Sequence, residues 1–556
     1  AILAQAVQAR ATLEAGRGGK RRGLGVPVAS REPLTAPRPM EASVRKPRAA
    51  PLVVELSANL APRAQHEARP ASDSSLEADE LRQGIPVSSL LSGCGRVLRT
   101  RADRLNKAEQ MQIFDLSCAV DQFDAFISHV CSTPGFKKYL ALVMDQLGLP
   151  AFLTAIFVAF GFMAFQACCR ELPRIGRHYP TSYWELVGGV AAGWVVCMFG
   201  NLLCRRTRFF FDSVSICQHD PEKKEAGILS IPAFLRTSRE MIVLWDERYF
   251  TRLWCVYEIA VAQSVGIPIR VLPMSVYGLI TMTQLIGFGC ALLSLGLTFP
   301  WERGSYYSQI DRWPVRFLQT AAVQALMIAM HAYIGREFAK MLLQLQDQIG
   351  TFDVRRADVS VESDRFLIHA DIEERFDGSL DNFNTNVRTT LKSTAMGSLS
   401  SQRALLPYWC VMWQGMSAMP FWISKWSSNW ASSAKHWRAD PWLDLNLYLY
   451  GLTMVFAGYP LLSAASMELG KQLTLDRRPA GAWKVLRYTG ICALILFSLF
   501  VWAGIACELA TDITAGSMHR RCGLEPWHFL FVAVPVDGLA WAVAAWAFRS
   551  RAAGST

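Results

Sequence analysis

Apolar runs close to the roughly 20 residues that a helix needs to cross a hydrocarbon core about 30 Å thick constrain this chain more than any other feature. They occupy residues 147–169, 186–204, 276–299, 317–335, 405–423, 445–467, 489–507 and 527–548. In lipid the backbone polar groups of a spanning segment must be satisfied internally, so runs of this kind fold as helices. The expected membrane part is therefore an all-α bundle of about eight transmembrane helices. Composition agrees, with 51% hydrophobic and only 19% charged residues, and with 18 Trp and 30 Phe to furnish lipid-facing surfaces and interfacial belts. A wholly disordered, fibrous or disulfide-scaffolded chain is excluded. The fifth run carries Pro407, Gln414 and Pro420 and is the least helix-like.

An even number of crossings puts both termini on one side. Lys471, Arg477, Arg478, Lys484 and Arg487 crowd the connection 468–488, against two basic residues in 508–526 and three in 425–444. By the positive-inside rule both termini face the cytosol. Residues 205–275 and 336–403 then lie on that side too. The second stretch opens with helical spacing of Phe338, Met341, Leu342 and Leu345 and is rich in carboxylates over 353–381. It reads as a solvated helical linker or coupling element without a calcium-loop spacing. The short tail 549–556 ends the chain on the cytosolic side.

The net charge of +11 comes mostly from residues 1–107, which hold 18 Lys and Arg against 10 Asp and Glu. That segment is rich in Ala, Pro and Gly and poor in aromatics, so it is expected to be a disordered basic tail. Without stacking aromatics it does not read as a nucleic-acid binder. Within the apolar runs, His331 and Asp537 are candidates for a transport pathway, because ionisable groups are costly there. Gly189 and Gly193 form a GxxxG able to bring two helices close. Most cysteines lie in apolar runs as packing residues, and the spacing of the others shows no metal-ligand pattern.

A different pattern surrounds the first two runs. Residues 122–129 form a short apolar strand. Beyond the second run, 208–216 reads as a strand, 219–227 as a charged loop, 228–238 as a short helix, 240–245 as a buried strand, 249–264 as a helix and 267–272 as a further strand. Strands alternating with helices predict a parallel α/β sheet.

These residues resemble the Toll/interleukin-1 receptor (TIR) domain family. Residues 123–129 (FDAFISH) resemble its first box, which typically reads (Y/F)DxF(I/L)S. Phe211-Asp212, followed by Gly227, Ile231, Leu235 and Ser238, is similar to its second strand, following loop and next helix, and Trp254-Cys255-Val256-Tyr257-Glu258 is similar to the WCxxE segment after the third strand. Residues 215–220 (SICQHD) also resemble a CIxQxD stretch of the distantly related fungal heterokaryon-incompatibility domains, with Ser215 in place of cysteine. The likeness spans about 123–274 and implies a TIR-like, flavodoxin-like parallel sheet. The departure is a hairpin of two membrane runs, 147–204, inserted between the first part (108–146) and the second part (205–275) of the domain. Two crossings return the chain to its starting side, so both parts can meet in the cytosol, with 134–146 supplying the first helix.

Some members of this family cleave NAD and others only assemble. The resemblance implies Glu258 as the catalytic residue and the charged loop 219–227 as gating the pocket or mediating self-association, while Ser128 and His129 at the end of the first strand, beside Phe126, are expected to line a ligand cleft as strand ends do, with Trp254, Tyr257 and Phe250 making a stacking pocket. NAD enters as a substrate, with neither a resident cofactor nor a metal implied. A carboxylate beneath the ribose would stabilise an oxocarbenium-like transition state, and Trp254, one helical turn before Glu258, would share its face. The expected function is that of a multi-pass membrane signalling protein, acting by self-association with itself or other TIR-domain proteins and hydrolysing NAD. Two alternatives stay open: a non-catalytic membrane receptor or scaffold, and a channel or transporter with a regulatory TIR-like domain.

Overall fold

The computed structural model describes residues 81–101, 104–175, 181–297, 313–359, 362–376, 378–392, 405–436, 441–475 and 530–548, with residues 483, 486, 487, 490 and 491. Its strands are β1 (Gln83–Pro86), β2 (Cys118–Ala119), β3 (Ala125–His129), β4 (Arg208–Phe211), β5 (Met241–Trp245) and β6 (Ile269–Pro273). The helices, in chain order, are α1 (Val87–Arg99), α2 (Lys107–Phe114), α3 (Gly135–Cys168), α4 (Trp184–Phe199), α5 (Pro221–Leu229), α6 (Ile231–Arg236), α7 (Leu253–Val265) and α8 (Met274–Leu297). There follow α9 (Trp313–Gly350), α10 (Glu362–Arg375), α11 (Leu380–Asn386), α12 (Tyr408–Gln414), α13 (Ala418–His436), α14 (Pro441–Thr453), α15 (Tyr459–Leu475) and α16 (Leu530–Phe548).

The six strands form one sheet in the order β2-β1-β4-β3-β5-β6. Strands β4, β3, β5 and β6 are parallel, whereas β1 pairs antiparallel with both β4 and β2. The expected parallel sheet is thus the central part of a mixed one. Its strands are nearly continuous apolar runs because helices cover both faces. Alternation divides their side chains: Ala125, Ile127, Phe209, Phe211, Ile242, Leu244 and Leu272 enter one apolar cluster, and Phe126, Phe210, Met241, Val243, Trp245 and Ile269 the other.

The first face is covered by α1 and by the beginning of α3, through Leu90, Leu98, Tyr139, Leu142 and Val143. Residues 81–101 are therefore folded, contrary to the expected tail, because Ile85, Val87, Leu90 and Leu91 supply the apolar surface that the stretch as a whole lacks; residues 1–80 lie outside the described residues. Helix α3 supplies the expected first helix and runs on without a break into an apolar stretch. Its Asp145, fully buried, is ion-paired with Arg270 on β6, which also meets Glu240 at 3.0 Å.

The second face is covered by α6, α7, the end of α9, α10 and α11. Leu345, Ile349, Phe352, Val354, Ile368, Ile372 and Phe383 are buried with α7 residues in one cluster. The described part of the stretch 336–403, expected to be solvated, instead packs on the sheet domain with apolar side chains of 345–391. Other local differences are small in extent. The strand expected at 208–216 ends at Phe211 and turns at Asp212–Ser215, and the charged loop 219–227 is largely helix α5, capped by Asp220 with Pro221 in its first turn.

Among the described residues, four helices are long and apolar enough to cross a membrane: Gly135–Cys168, Trp184–Cys204, Met274–Leu295 and Tyr448–Leu475. They correspond to the first, second, third and sixth expected runs and are compatible with a membrane protein. The fourth run is part of α9 and the eighth is described as α16, while 489–507 lies almost wholly outside the described residues. The fifth is two helices, α12 and α13, separated at residues 415–417; Pro407 precedes the first and Pro420 sits in the first turn of the second, where its missing N–H costs nothing. Helices α3 and α4 touch closely at Gly189, where a Cβ would come within 2.7 Å of the Ala155 carbonyl oxygen. A tighter crossing joins α9 and α15, since a Cβ on Gly335 or on Gly470 would lie 1.8 Å from the carbonyl oxygen of Met467 or Ala332.

Candidate functional site

Open parallel sheets bind ligands outside the carboxyl ends of their strands, at the point where strand order reverses. Here the chain passes from β3 to β4 on one side and then to β5 on the other, so that point lies at β3. His129 ends β3, Asp212 follows β4 and Asp246 follows β5, which sets an imidazole and two carboxylates along one edge.

Glu258 reaches this edge from α7. The Ser128 hydroxyl donates to its Oε2 at 2.5 Å and also lies 2.5 Å from the Tyr249 hydroxyl. Tyr249 is fully buried and sits 3.4 Å from the Cys255 carbonyl oxygen. Removal from water pushes the Glu258 carboxyl up from 4.5 to about 8; nearby Asp212 adds to the rise and the Ser128 hydrogen bond opposes it. Burial likewise raises the Tyr249 phenol and the Cys255 thiol. Thr133, in the turn after β3, donates to Asp246, and Asp246 Oδ1 accepts from the Arg248 backbone N–H at 3.0 Å. Two strand-end loops are thereby tied beside the Glu258 group.

His129 is turned the other way, as strand alternation requires of the neighbour of Ser128. Its ring stacks on Phe211 with centroids 4.7 Å apart, and its Nε2 lies 3.8 Å from Asp212 Oδ1. Burial, aided by the nearby Lys138 ammonium and opposed by Asp212, lowers the imidazole to about 4, so it is neutral at physiological pH. Cys131 Sγ is 3.9 Å from Asp212 Oδ2. His129, Cys131 and Asp212 bring three ligand-type atoms within 4.8 Å of one another.

The remaining expected residues lie elsewhere. Phe126 is fully buried and stacked on Phe210 at 4.5 Å, as a core residue of the second face. Trp254 donates to Asp364 at 3.2 Å and Tyr257 to Asp371 at 2.6 Å, so both side chains engage α10. Burial and that carboxylate raise the Tyr257 phenol. Ser215 accepts from the Phe211 N–H at 3.1 Å and holds the turn after β4. In the apolar helices, His331 is fastened between the Met327 carbonyl at 2.6 Å and Gln414 at 3.2 Å, and Asp537 is buried in α16. Sequence reasoning missed Tyr249 and Asp246; the position of Asp246 directly after a buried strand was the available signal for it, and Tyr249 had none. A cavity between α9 and α15, lined in part by Tyr333, Arg336 and Lys340, contains none of the Glu258 group.

Comparison of the chain with protein-family models, with curated proteins and with solved structures finds no match.

Proposed function

We propose that this chain is a multi-pass membrane signalling protein whose split TIR-like domain acts in the cytosol by self-association and hydrolyses NAD at Glu258. The observation that carries the reading is the Ser128-Tyr249-Glu258 group: a partly buried carboxyl, held at 2.5 Å by a strand-end hydroxyl, beside the reversal point of a parallel sheet. The order β4-β3-β5-β6 is also the order expected of a flavodoxin-like sheet. In the proposed reaction the bond from ribose C1′ to the nicotinamide nitrogen breaks with its electron pair leaving on nicotinamide. The ionised Glu258 stabilises the positive charge that develops on the ribose, water adds its oxygen to C1′, and one proton is released. Ser128 orients the carboxylate, and the rate rises as Glu258 ionises.

A second reading, a non-catalytic membrane scaffold, is favoured by one observation: Phe126, Trp254 and Tyr257 are engaged in the core or with α10 rather than facing Glu258. Nicotinamide release from NAD by membranes carrying the clustered full-length chain separates the two. Activity that disappears in Glu258→Ala supports hydrolysis. A wild type no faster than Glu258→Ala, with self-association intact, removes the enzymatic half and leaves the scaffold.

A further inference from the structure

We propose that His129, Cys131 and Asp212 form a binding site for a borderline-soft divalent cation of the zinc class. The three residues offer an imidazole nitrogen, a thiol sulfur and a carboxylate oxygen, the donor set that such ions prefer over the all-oxygen sets of calcium and magnesium. Their ligand atoms all lie within 4.8 Å of one another, with Nε2 to Oδ1 at 3.8 Å and Sγ to Oδ2 at 3.9 Å. Bonds of about 2.0 to 2.3 Å to a tetrahedral ion put ligand atoms roughly 3.3 to 3.8 Å apart, so closure asks for movement on the order of 1 Å.

The surroundings hold two of the ligands in place. Asp212 Oδ1 accepts from the Ser213 backbone N–H at 2.5 Å and from the Ser213 hydroxyl at 2.9 Å. The His129 ring is clamped against Phe211 and its side chain is 3% exposed. Such outer contacts orient metal ligands and sharpen affinity. Cys131 is exposed and Asp212 partly so, which gives an ion a route from solvent. Three protein ligands leave a fourth position for water or an exogenous group, as in open rather than structural zinc sites. The thiolate and the carboxylate together balance a dication. Lys138, which interacts with both Cys131 and Asp212, subtracts from that attraction without filling a ligand position.

The site adjoins the proposed chemistry, since Asp212 is near enough to raise the Glu258 carboxyl, but it shares no ligand with the Ser128-Tyr249-Glu258 group. Its test therefore uses a readout independent of NAD. Full-length protein purified in detergent and stripped with a chelator is titrated with cobalt(II), following the thiolate-to-cobalt charge-transfer absorption, and the cobalt is then displaced with zinc. The expected result is about one equivalent of signal that Cys131→Ser abolishes, with affinity weakened at least tenfold in Asp212→Asn and in His129→Ala, and retained in Glu258→Gln. Other cysteines are subtracted by the Cys131→Ser spectrum. Asp212→Asn keeps every thiol and nearly the same shape, so its loss of affinity identifies a site rather than a thiol adduct. Equal titrations of wild type and Cys131→Ser, or an Asp212→Asn protein of unchanged unfolding temperature that binds as tightly as wild type, overturn the proposal. Neither result bears on nicotinamide release, which Glu258→Ala tests alone.

Discussion

The Glu258 carboxyl makes a quantitative demand on stability. Its folded value of about 8 against 4.5 for the free group means that folding favours the neutral acid. A raised value contributes stability that is fully present below about 4.5 and is lost as pH rises through about 8. At ~1.4 kcal/mol per tenfold change, the whole displacement is worth on the order of 5 kcal/mol for a group cut off from water. Glu258 keeps some exposure, so about 2 to 3 kcal/mol is the working figure. Glu258→Gln cannot ionise and escapes the loss. Thermal unfolding of the two full-length proteins in detergent at pH 5, 7 and 9 is expected to show a gap that widens toward pH 9 in favour of Gln. At roughly 2 to 4 °C per kcal/mol for a domain of this size, that gap grows by about 5 to 10 °C. Any fixed cost of the amide beside Ser128 cancels, because only the change with pH is read. A gap that stays constant from pH 5 to 9, or that narrows, refutes the burial of this carboxyl.

Ser128→Ala removes the hydrogen bond that holds Glu258 down, so the pH midpoint of that same transition is expected to move upward; proton titration followed by NMR or by unfolding reads the direction. Asp145→Leu leaves the buried Arg270 with Glu240 as its remaining carboxylate partner and is expected to cost about 2 to 4 kcal/mol, part of which returns when Arg270→Met is added, as measured by denaturant unfolding. Ile372→Ala opens a cavity under α10 and is expected to cost about 2 to 5 kcal/mol and to expose the 352–376 region to protease. Gly335→Leu forces α9 away from α15 and is expected to lower the yield of a disulfide engineered across their crossing, whereas Gly335→Ala lowers it less.

The parallel strands were legible because AFISH, RFFF, MIVLW and IRVLP are apolar on both faces, and only a sheet covered on both sides asks for that. The two antiparallel strands were not. Gln83–Pro86 has four residues, including Gly84 and Pro86, and is set in a charged, low-complexity surrounding. Its partner, Cys118–Ala119, has two. The stretch 336–403 misled for another reason. Its core residues, Leu345, Ile349, Ile368, Ile372 and Phe383, are spread over three helices among carboxylates and arginines, so local averages read as solvated. Helix α5 was written in the sequence as Asp220-Pro221-Glu222, a cap followed by proline and an acid, but its charges suggested a loop. The segment WCVYE draws attention to Glu258, which the structure brings from α7 to the strand-end edge. Its partners were not legible, because Tyr249 reaches Ser128 across 121 positions of sequence. Cys131 and Asp212 likewise meet only through the pairing of β3 with β4, 81 positions apart, so no spacing rule reveals them.

The insertion between β3 and β4 changes what holds the sheet. Helix α3 leaves the first face through the Asp145 to Arg270 ion pair and continues directly into a candidate span, while α9 arrives at the second face from another apolar run. Each face is thus fastened to the apolar helices by an unbroken helix. At 1.5 Å per residue, Gln348 lies about 20 Å along α9 from the Gly335 crossing. Gln348 donates to the Glu247 carbonyl at 2.6 Å, in the loop that also carries Asp246 and Tyr249. Helix α9 has no proline past Pro314, so no proline kink interrupts it over that length. It thus joins its crossing with α15 to the loop whose tyrosine meets Ser128. Helix α3, which carries Pro150 within it, reaches the opposite face, where its Lys138 lies near Cys131 and Asp212. The two groups at the strand ends are thus reached by different apolar helices, one that enters the insertion and one that follows β6.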